Sequence, residues 1–446
     1  MADLSIDFCG LKSPNPFWLA SGPPTNTGDQ VMRAFDAGWG GAVWKTIGEP
    51  IVNVSSRYAG LDLGAARLIG LNNIELITDR SMEVNFRELA EVKRRYPRQT
   101  LVASLMVESK ASAWHEVVQR AQDAGADAVE LNFGCPHGMS ERGMGAAVGQ
   151  VPEYCGRITG WAKEMARIPV IVKLTPNVTD VTVPARAAAE AGADALSLIN
   201  TLNSVISVDL TSFSPRPAVR GNGSHGGYCG PAVKPIALHM LSAVCADPAI
   251  GIPVSGIGGI STWRDAAEFI ALGATSLQVC TAVMHHGFRI VEDLIDGLSA
   301  YLDEQGLALS ALRGKALPHV RRWEDLDLNY KAVAHIDHAK CIGCQLCYVA
   351  CNDGAHQAIG QKPWSALGVS PPAEVGPHGR PPPIDPRSGT APVILEESCV
   401  GCNLCSLVCP VPGCIEMQDR SGTAAQKSFR DCEAAGETPR ASFEHR

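Results

Sequence analysis

Sixteen cysteines stand in this sequence of 446 residues, and eight of them form two runs with the same spacing. Both runs read Cys-x2-Cys-x2-Cys-x3-Cys, and they are Cys341, Cys344, Cys347 and Cys351, then Cys399, Cys402, Cys405 and Cys409, the last followed by Pro410. Clustered thiols in a chain without a secretion signal favour metal binding over disulfides.

The spacing of the two runs is typical of bacterial two-cluster ferredoxins, in which the fourth cysteine of each run binds the other cluster. We therefore assign one [4Fe–4S] cluster to Cys341, Cys344, Cys347 and Cys409, and the second to Cys399, Cys402, Cys405 and Cys351. A zinc site would use four ligands in pairs, which the complete match of both runs disfavours. Asn352 follows the first run where proline follows the second, which alters a turn but removes no ligand.

Iron–sulfur clusters pass single electrons and do no bond chemistry on an organic substrate. Another group must therefore convert single electrons into a hydride, and a flavin does this. The cysteine runs thus predict a flavin site elsewhere in the chain.

The first ~315 residues alternate helical and extended patterns, as βαβ units do. Phrases such as AGADAVELN (124–132) and AGADALSLIN (191–200) end a helix at glycine and begin a short apolar strand. Eight strands are predicted, at 17–21, 42–46, 101–106, 128–133, 170–174, 195–200, 253–257 and 276–280. This number favours a (β/α)8 TIM barrel, an α/β fold.

A doubly wound open sheet is the alternative, but its Gly-rich turn does not follow the first predicted strand. A G-x-G-x-x-G match at Gly221–Gly226 has no strand before it, so we interpret it as a loop rather than a dinucleotide site.

Composition divides the chain into segments of different character. We expect a catalytic barrel over 1–315, a linker over 316–334, a small α+β ferredoxin-like domain over 335–417 and a polar, poorly ordered tail over 418–446. Within the third segment, 361–392 is a Pro/Gly-rich insertion that cannot build a core and is expected to be a loop or disordered.

Barrel enzymes place their chemistry at the carboxyl ends of the strands. Polar or small residues close the predicted strands, namely Ser21, Lys45, Asn132, Lys173, Asn200, Gly258 and Thr281. Any one of them can be ordinary strand capping, but seven together indicate a site. The two lysines suit an anionic flavin ring or a phosphate, and backbone N–H groups after Gly258 and Gly259 can hold a phosphate.

Three segments carry a specific resemblance: VELNFGCPHGMSERGMG (129–145), VIVKLTPNVTD (170–180) and NNIELI (72–77). They closely resemble the flavin-containing half of the dihydropyrimidine dehydrogenases, and they are more distantly similar to the dihydroorotate dehydrogenases. The likeness runs from about residue 4 to 417, and it is strongest to the bacterial subunit that pairs with a separate flavoprotein.

The resemblance implies FMN as the cofactor of the barrel. By motif position, its contacts are Ser21, Lys45, Thr46, Asn73, Asn132, Lys173, Asn200, Gly230, Gly258, Gly259, Cys280 and Thr281. The implied substrate contacts are Asn73, Asn132, Asn200 and Thr201. An asparagine amide suits a pyrimidine because it offers both a donor and an acceptor. The family has serine before its active cysteine, whereas this chain has Gly134.

Cys135 occupies the family's general-acid position. Reducing the C5–C6 double bond of a pyrimidine needs a hydride at one carbon and a proton at the other, and a cysteine of ordinary pKa is mostly thiol at pH 7. A lone cysteine is more often a buried structural residue, but the Gly-rich segment 138–145, which resembles a mobile lid, favours an active site. His137 can tune the thiol or be a solvated loop residue. The other cysteines are expected to be structural: Cys9, Cys155, Cys229, Cys245, Cys414 and Cys432.

The resemblance implies an oxidoreductase acting on CH–CH bonds, which reversibly reduces uracil or thymine with electrons from NADH. No convincing nicotinamide or FAD motif is found in the sequence, so both are expected on a partner flavoprotein, in a heterotetramer. A dihydroorotate dehydrogenase is one alternative, and it would need a cation near the substrate carboxylate. An electron-transfer protein without pyrimidine turnover is another.

Charge and hydropathy narrow the partners. The net charge of −8 argues against nucleic acid. The sequence contains no apolar run of 18 residues and no signal peptide, so we expect a cytoplasmic protein without a membrane span.

Overall fold

The computed structural model describes residues 2–49, 51, 53–63, 66–137, 143–370 and 389–438. The chain divides after Val320 into two compact units, which are considered separately below. None of the helices within these described ranges is long and apolar enough to cross a membrane.

Eight parallel strands of the first unit close into a barrel. The strands are Phe17–Leu19 (β1), Gly41–Gly48 (β2), Thr100–Met106 (β3), Ala128–Asn132 (β4), Val170–Lys173 (β5), Ala195–Leu198 (β6), Val254–Ile257 (β7) and Ser276–Val279 (β8). Their spatial order around the barrel is β6-β7-β8-β1-β2-β3-β4-β5. Every one of them matches a strand predicted from the sequence, and the predicted TIM-barrel class is confirmed.

A ring of helices packs around the barrel. Its members are Gly28–Ala37 (α1), Met82–Arg95 (α2), Ala111–Asp123 (α3), Pro152–Met165 (α4), Thr182–Glu190 (α5), Lys234–Ala246 (α6), Trp263–Ala271 (α7) and Ile290–Gln305 (α8). Local sequence signals set their ends: the Thr27 hydroxyl accepts from the N–H of Gln30 at the start of α1, and Gly38 ends this helix at φ 109°. Three short helices accompany them, Ala146–Gly149, Thr281–His286 and Leu309–Leu312.

An amino-terminal hairpin, Ile6–Phe8 and Leu11–Ser13, fills the end of the barrel where the strands begin. Phe8 is fully buried and meets the Trp18 ring edge-on, with centroids 5.5 Å apart. One side chain from each of the strands β1–β6 packs into the same cluster. Because apolar side chains occupy this end, polar chemistry is left to the opposite end, where the strands finish.

A four-stranded antiparallel sheet, which the sequence did not reveal, is added at the carboxyl ends of the strands. Its strands, in spatial order, are Leu202–Ser204, Gly226–Cys229, Ala66–Asn73 and Tyr58–Leu63. Gly226, the last residue of the G-x-G-x-x-G match, begins one of these strands rather than a helix, so the phosphate-binding geometry of a dinucleotide fold is not formed there. A small hairpin, Ser207–Asp209 and Ser214–Arg216, extends from the same region.

The second unit repeats one simple plan twice. Strand Ala332–Ile336 pairs with Ile415–Asp419, and Ile359–Pro363 pairs with Thr390–Ile394, both antiparallel. One helix follows each cysteine loop, Leu346–Gly354 and Leu404–Leu407. This is the α+β domain expected from the cysteine runs.

Two expectations of disorder need correction. The ends of the Pro/Gly-rich segment 361–392 are paired strands, because Gln361 to Pro363 align with Thr390 to Pro392; residues 371–388 lie outside the described residues. The expected tail 418–446 contains the end of strand Ile415–Asp419 and one helix. Helix Phe429–Ala434 begins at a capping box on Ser428, and the Phe429 ring lies 6.0 Å from the Trp323 ring, an aromatic contact that polarity alone did not indicate.

Candidate active site and cluster sites

A cavity opens at the carboxyl ends of the barrel strands. It holds about 1110 Å³ of space free of protein atoms, its open mouth included, which is the size of a cofactor site. All residues predicted to touch flavin or pyrimidine line it, together with the predicted acid: Ser21, Lys45, Thr46, Asn73, Asn132, Cys135, Lys173, Asn200, Thr201, Gly230, Gly258, Gly259, Cys280 and Thr281. Cys229, expected to be structural, also lines it.

A bulge in β2 presents two neighbouring side chains to this cavity. The pairing register of β2 with β3 shifts between Trp44 and Ile47, and both Lys45 and Thr46 line the cavity. Successive side chains of a regular strand point to opposite faces. The bulge explains how one strand supplies an ammonium and a hydroxyl to the same site.

A chain of hydrogen bonds links the ends of β2, β4 and β6. The side-chain amide Nδ2 of Asn132 donates to the Thr46 hydroxyl at 2.9 Å. The side-chain amide Nδ2 of Asn200 donates in turn to Oδ1 of Asn132 at 2.9 Å. The Thr46 hydroxyl also lies 3.1 Å from that of Ser21. The side-chain oxygen Oδ1 of Asn200 accepts from the main-chain N–H of Thr201 at 2.8 Å. Two predicted substrate-binding amides are thereby held in defined orientations.

Asn73 is held by the added sheet rather than by the barrel. Its amide donates to the carbonyl of Gly227 across the sheet at 3.0 Å. The position of this side chain therefore depends on strands that the sequence did not indicate.

Gly134, the residue where this chain departs from the family pattern, is packed against Asn200. A Cβ atom at Gly134 would lie 2.4 Å from the Asn200 Cβ and 2.7 Å from its amide nitrogen. The main-chain N–H of Gly134 donates to the side-chain oxygen Oδ1 of Asn132 at 3.2 Å. The absence of a side chain at this position therefore gives Asn200 its room.

Both cavity lysines face buried carboxylates. Lys45 Nζ lies 2.6 Å from Glu75 Oε1, and both side chains are less than 10% exposed. Lys173 Nζ lies 3.7 Å from Glu130 Oε1, and Glu130 is fully buried. Sequence reasoning missed Glu75 and Glu130, because each pairing joins residues that are distant in the sequence and leaves no local pattern.

Cys135 is almost fully buried, with 5% of its surface exposed. Its thiol donates to the carbonyl of Leu76 at 3.2 Å. Burial raises the pKa of Cys135 to about 11, and Glu75 adds to this, while the N–H of His137 and the charge of Lys173 oppose it. The thiol form therefore predominates at neutral pH.

His137 ties the cysteine loop to the added sheet. Nδ1 lies 3.1 Å from the carbonyl of Glu75, and Nε2 lies 3.1 Å from the carbonyl of His225. Burial lowers the pKa of His137, so a neutral ring donates to one of the two carbonyls only. The ring is held in place rather than freely solvated. Of the predicted lid 138–145, residues 138–142 lie outside the described residues.

The geometry after β7 suits a phosphate. Gly258 and Gly259 adopt φ values of 127° and 79°, and a Cβ atom at Gly259 would lie 2.9 Å from the Lys234 Cβ. Helix α7 follows, with a capping box at Thr262, and the short helix Thr281–His286 begins at the cavity wall after β8. Backbone N–H groups at these positions form the phosphate site of many barrels. Together with the two lysines, this donor set fits a flavin mononucleotide.

The cluster cysteines fall into the two predicted quartets. Cys341, Cys344, Cys347 and Cys409 line one cavity of about 320 Å³, and Cys351, Cys399, Cys402 and Cys405 line another of about 350 Å³. In the described parts of the chain, no three His, Cys, Asp or Glu side chains lie close enough to bind a single ion. The thiols surround spaces suited to a larger group.

Both cysteine loops have the same backbone shape. Gly343 and Gln345 in the first loop, and Gly401 and Asn403 in the second, all adopt φ values between 61° and 71°. Left-handed residues alternating with ordinary ones turn successive N–H groups inward and form concave anion sites, as found around iron–sulfur clusters. The described loops therefore fit two [4Fe–4S] clusters.

Family comparison agrees with this geometry. Residues 3–302 match the model of the dihydroorotate dehydrogenase family, and residues 340–413 match the 4Fe-4S dicluster domain. The chain belongs to the dihydroorotate dehydrogenase family. Members of this family bind FMN, and the combination of barrel and dicluster domain confirms the predicted fold class.

Two relatives differ in how much of the chain they cover. The NAD-dependent dihydropyrimidine dehydrogenase subunit PreA of Escherichia coli (strain K12) is 42% identical over 93% of this chain and 95% of its own length. The catalytic subunit of dihydroorotate dehydrogenase B (NAD(+)) of Pyrococcus abyssi is 37% identical over 68% of this chain and 95% of its own. The first likeness thus takes in far more of the chain than the barrel alone.

Among solved structures, a dihydroorotate dehydrogenase from Eimeria tenella in complex with ferulenol shares the fold. It superposes with a TM-score of 0.59 at 20% identity, covering 72% of this chain and 89% of that one.

Proposed function

We propose that this chain is the FMN- and iron–sulfur-containing subunit of an NAD-linked dihydropyrimidine dehydrogenase. It reversibly reduces the C5–C6 double bond of uracil or thymine: 5,6-dihydrouracil + NAD⁺ ⇌ uracil + NADH + H⁺. The observation that carries the proposal is one cavity that brings Cys135 together with the amides of Asn73, Asn132 and Asn200, in a chain that also carries two cluster loops. The 42% identity to the E. coli subunit extends over both parts.

Bound FMN supplies the conversion between single electrons and a hydride. Lys45 and Lys173 would hold the flavin ring from β2 and β5, with Ser21, Thr46 and Cys280 beside them. The backbone at Gly230, Gly258, Gly259 and Thr281 would hold its phosphate. All of these residues line the one cavity.

The pyrimidine is bound by amides whose orientations the protein fixes in advance. Asn132 and Asn200 are joined by a 2.9 Å hydrogen bond, and Asn73 is held from the added sheet. Amides oriented in this way can match the alternating N–H and C=O groups of a uracil ring. Because these side chains are already ordered, substrate binding costs little further side-chain entropy.

Cys135 supplies the proton at the second carbon of the double bond. Its burial keeps the thiol protonated, which is the form needed for reduction. The reverse reaction needs the thiolate to accept a proton.

The two clusters carry electrons between FMN and a partner subunit. We propose that this partner is a flavoprotein with FAD and an NAD site, that the two form a heterotetramer, and that the enzyme is cytoplasmic. Support comes from the E. coli relative, which is named as a subunit of an NAD-dependent enzyme.

Anaerobic photoreduction of the purified chain, followed by uracil, tests the proposal. We expect the flavin absorbance near 450 nm to return as dihydrouracil forms. A flavin that orotate reoxidises and uracil does not would assign the chain to dihydroorotate chemistry instead. A flavin that neither pyrimidine reoxidises would leave an electron-transfer protein.

A further inference from the structure

Three charged side chains line the cavity among the described residues: Lys45, Lys173 and Glu75. The carboxylate of Glu75 is the centre of a polar cluster in the wall. Its Oε1 meets Lys45 Nζ at 2.6 Å and Arg57 Nη1 at 2.9 Å, and its Oε2 accepts from the Tyr58 hydroxyl at 3.1 Å. Glu75 itself is 8% exposed.

Arg57 also contacts residues other than Glu75. Its Nε donates to the carbonyl of Val54 at 2.8 Å, and Nη1 and Nη2 both lie 3.3 Å from the carboxylate of Asp79. The charge of the Arg57 guanidinium is therefore offset by Asp79, and the charge of Glu75 offsets that of Lys45.

The second cavity cation is also balanced. Lys173 lies 3.7 Å from Glu130, a fully buried carboxylate that accepts from Ser197 at 2.8 Å and from Gln278 at 2.9 Å. Each cavity lysine therefore faces one buried carboxylate, Lys45 facing Glu75 and Lys173 facing Glu130. Neither lysine is left as an unpaired cation for a ligand.

We propose that Glu75 is a specificity-determining residue that selects neutral pyrimidines and excludes pyrimidine carboxylates by neutralising Lys45. The inference rests on the proposed function and names the feature that separates it from dihydroorotate chemistry. A carboxylated pyrimidine in this cavity would give up its hydration without gaining an unpaired cation, and it would approach the charge of Glu75. A neutral uracil meets neither cost.

Ligand binding to the oxidised, flavin-loaded chain tests the proposal independently of turnover. Uracil and orotate, which is uracil-6-carboxylate, are titrated while flavin absorbance is recorded, and equilibrium dialysis gives a second value of Kd. Glu75→Gln keeps the shape and hydrogen-bonding atoms of the side chain but releases the charge of Lys45. We expect orotate to bind this variant about tenfold or more tightly than the original chain, because an unpaired charge a few ångströms away is a strong attraction. Uracil should change by less than about threefold, since it carries no charge.

Two variants and one ligand serve as controls. Glu164→Gln makes the same change at an exposed carboxylate of α4 that pairs with His115 and does not line the cavity, so it should leave orotate binding unchanged. The double variant Lys45→Gln with Glu75→Gln should lose the gained orotate affinity. If Glu75→Gln fails to retain flavin, the original chain is titrated with orotate and its neutral methyl ester. The ester should bind about tenfold tighter or more, because it needs no cation.

The outcomes separate the two proposals. If orotate binds Glu75→Gln no better than it binds the original chain, or the acid binds the original chain as well as its ester does, Glu75 does not determine specificity. If uracil fails to bind the original chain at all, the proposed function is wrong whatever Glu75 does.

Discussion

Replacing Gly134 by alanine should damage substrate binding by displacing Asn200. The added methyl group would sit 2.4 Å from the Asn200 Cβ and 2.7 Å from its amide nitrogen. Ordinary carbon contacts lie near 3.5–4 Å, so Asn200 must retreat by about 1 Å. The 2.9 Å hydrogen bond from Asn200 to Asn132 cannot survive such a shift.

The size of the effect follows from that lost bond and the strain. A net hydrogen bond contributes about 1 kcal/mol, and overpacking a tight site costs about 1–3 kcal/mol. We take about 2 kcal/mol as the share expressed in substrate binding and orientation. This corresponds to a fall in kcat/KM for uracil of about 30-fold. Iron content should be unchanged, since the cluster cysteines belong to the second unit of the chain.

Steady-state kinetics with uracil and a matched glycine variant measure this effect. Gly160, in the middle of α4, has no atom within 4 Å of the position that an added methyl group would take, so Gly160→Ala should leave kcat/KM within about twofold and stabilise the helix by about 1 kcal/mol. If Gly134→Ala also keeps kcat/KM within twofold, Asn200 is not the substrate contact that the geometry indicates. A loss of iron would likewise contradict the reasoning.

Four further results are expected. The rate of uracil reduction should stay constant from pH 7 to 9, because the reaction needs the Cys135 thiol. Burial raises the pKa of this thiol to about 11, so its proton is lost only as the pH rises through that value. A decline of the rate within this range, as an ordinary thiol gives, would contradict the assignment. The rate of dihydrouracil oxidation should instead rise about tenfold per pH unit over the same range, since this reaction needs the thiolate. The Cys135→Ala variant should lose both rates but retain its flavin. Cys351→Ala should perturb the same electron paramagnetic resonance signal as Cys405→Ala and spare the one that Cys347→Ala removes; the opposite pairing would show that each run binds its own cluster.

The barrel could be predicted because its information is local. Each strand is a short apolar run that follows a helix ending at glycine, and the parallel strands need no partner pattern to be recognised. The predicted strand at 195–200 extends only two residues beyond the observed Ala195–Leu198. The added sheet escaped prediction because Leu202–Ser204 and Gly226–Cys229 are short. In addition, the pairing of Gly226–Cys229 with Ala66–Asn73 joins segments more than a hundred residues apart.

The grouping of the clustered cysteines around two cavities could be predicted for the same reason, since their spacing is written in the chain. The crossing of Cys351 to the second quartet is a property of the fold, yet the regular behaviour of such paired loops was enough to assign it. The left-handed conformations of Gln345 and Asn403 were not predicted, because a non-glycine residue gives little warning of a positive φ.

Glu75 shows where prediction from the sequence ends and why. Within NNIELI it is one acidic residue beside apolar neighbours, a pattern that fits an ordinary surface position at a strand end. Its role depends on two distant features: the bulge that aims Lys45 into the cavity and the antiparallel pairing that brings the strand starting at Tyr58 alongside the one ending at Asn73. The first supplies the cation and the second supplies the hydroxyl donor, so the environment of the carboxylate exists only after both have formed. A residue that sets the charge of a site is for this reason harder to find from sequence than the residues that contact the ligand.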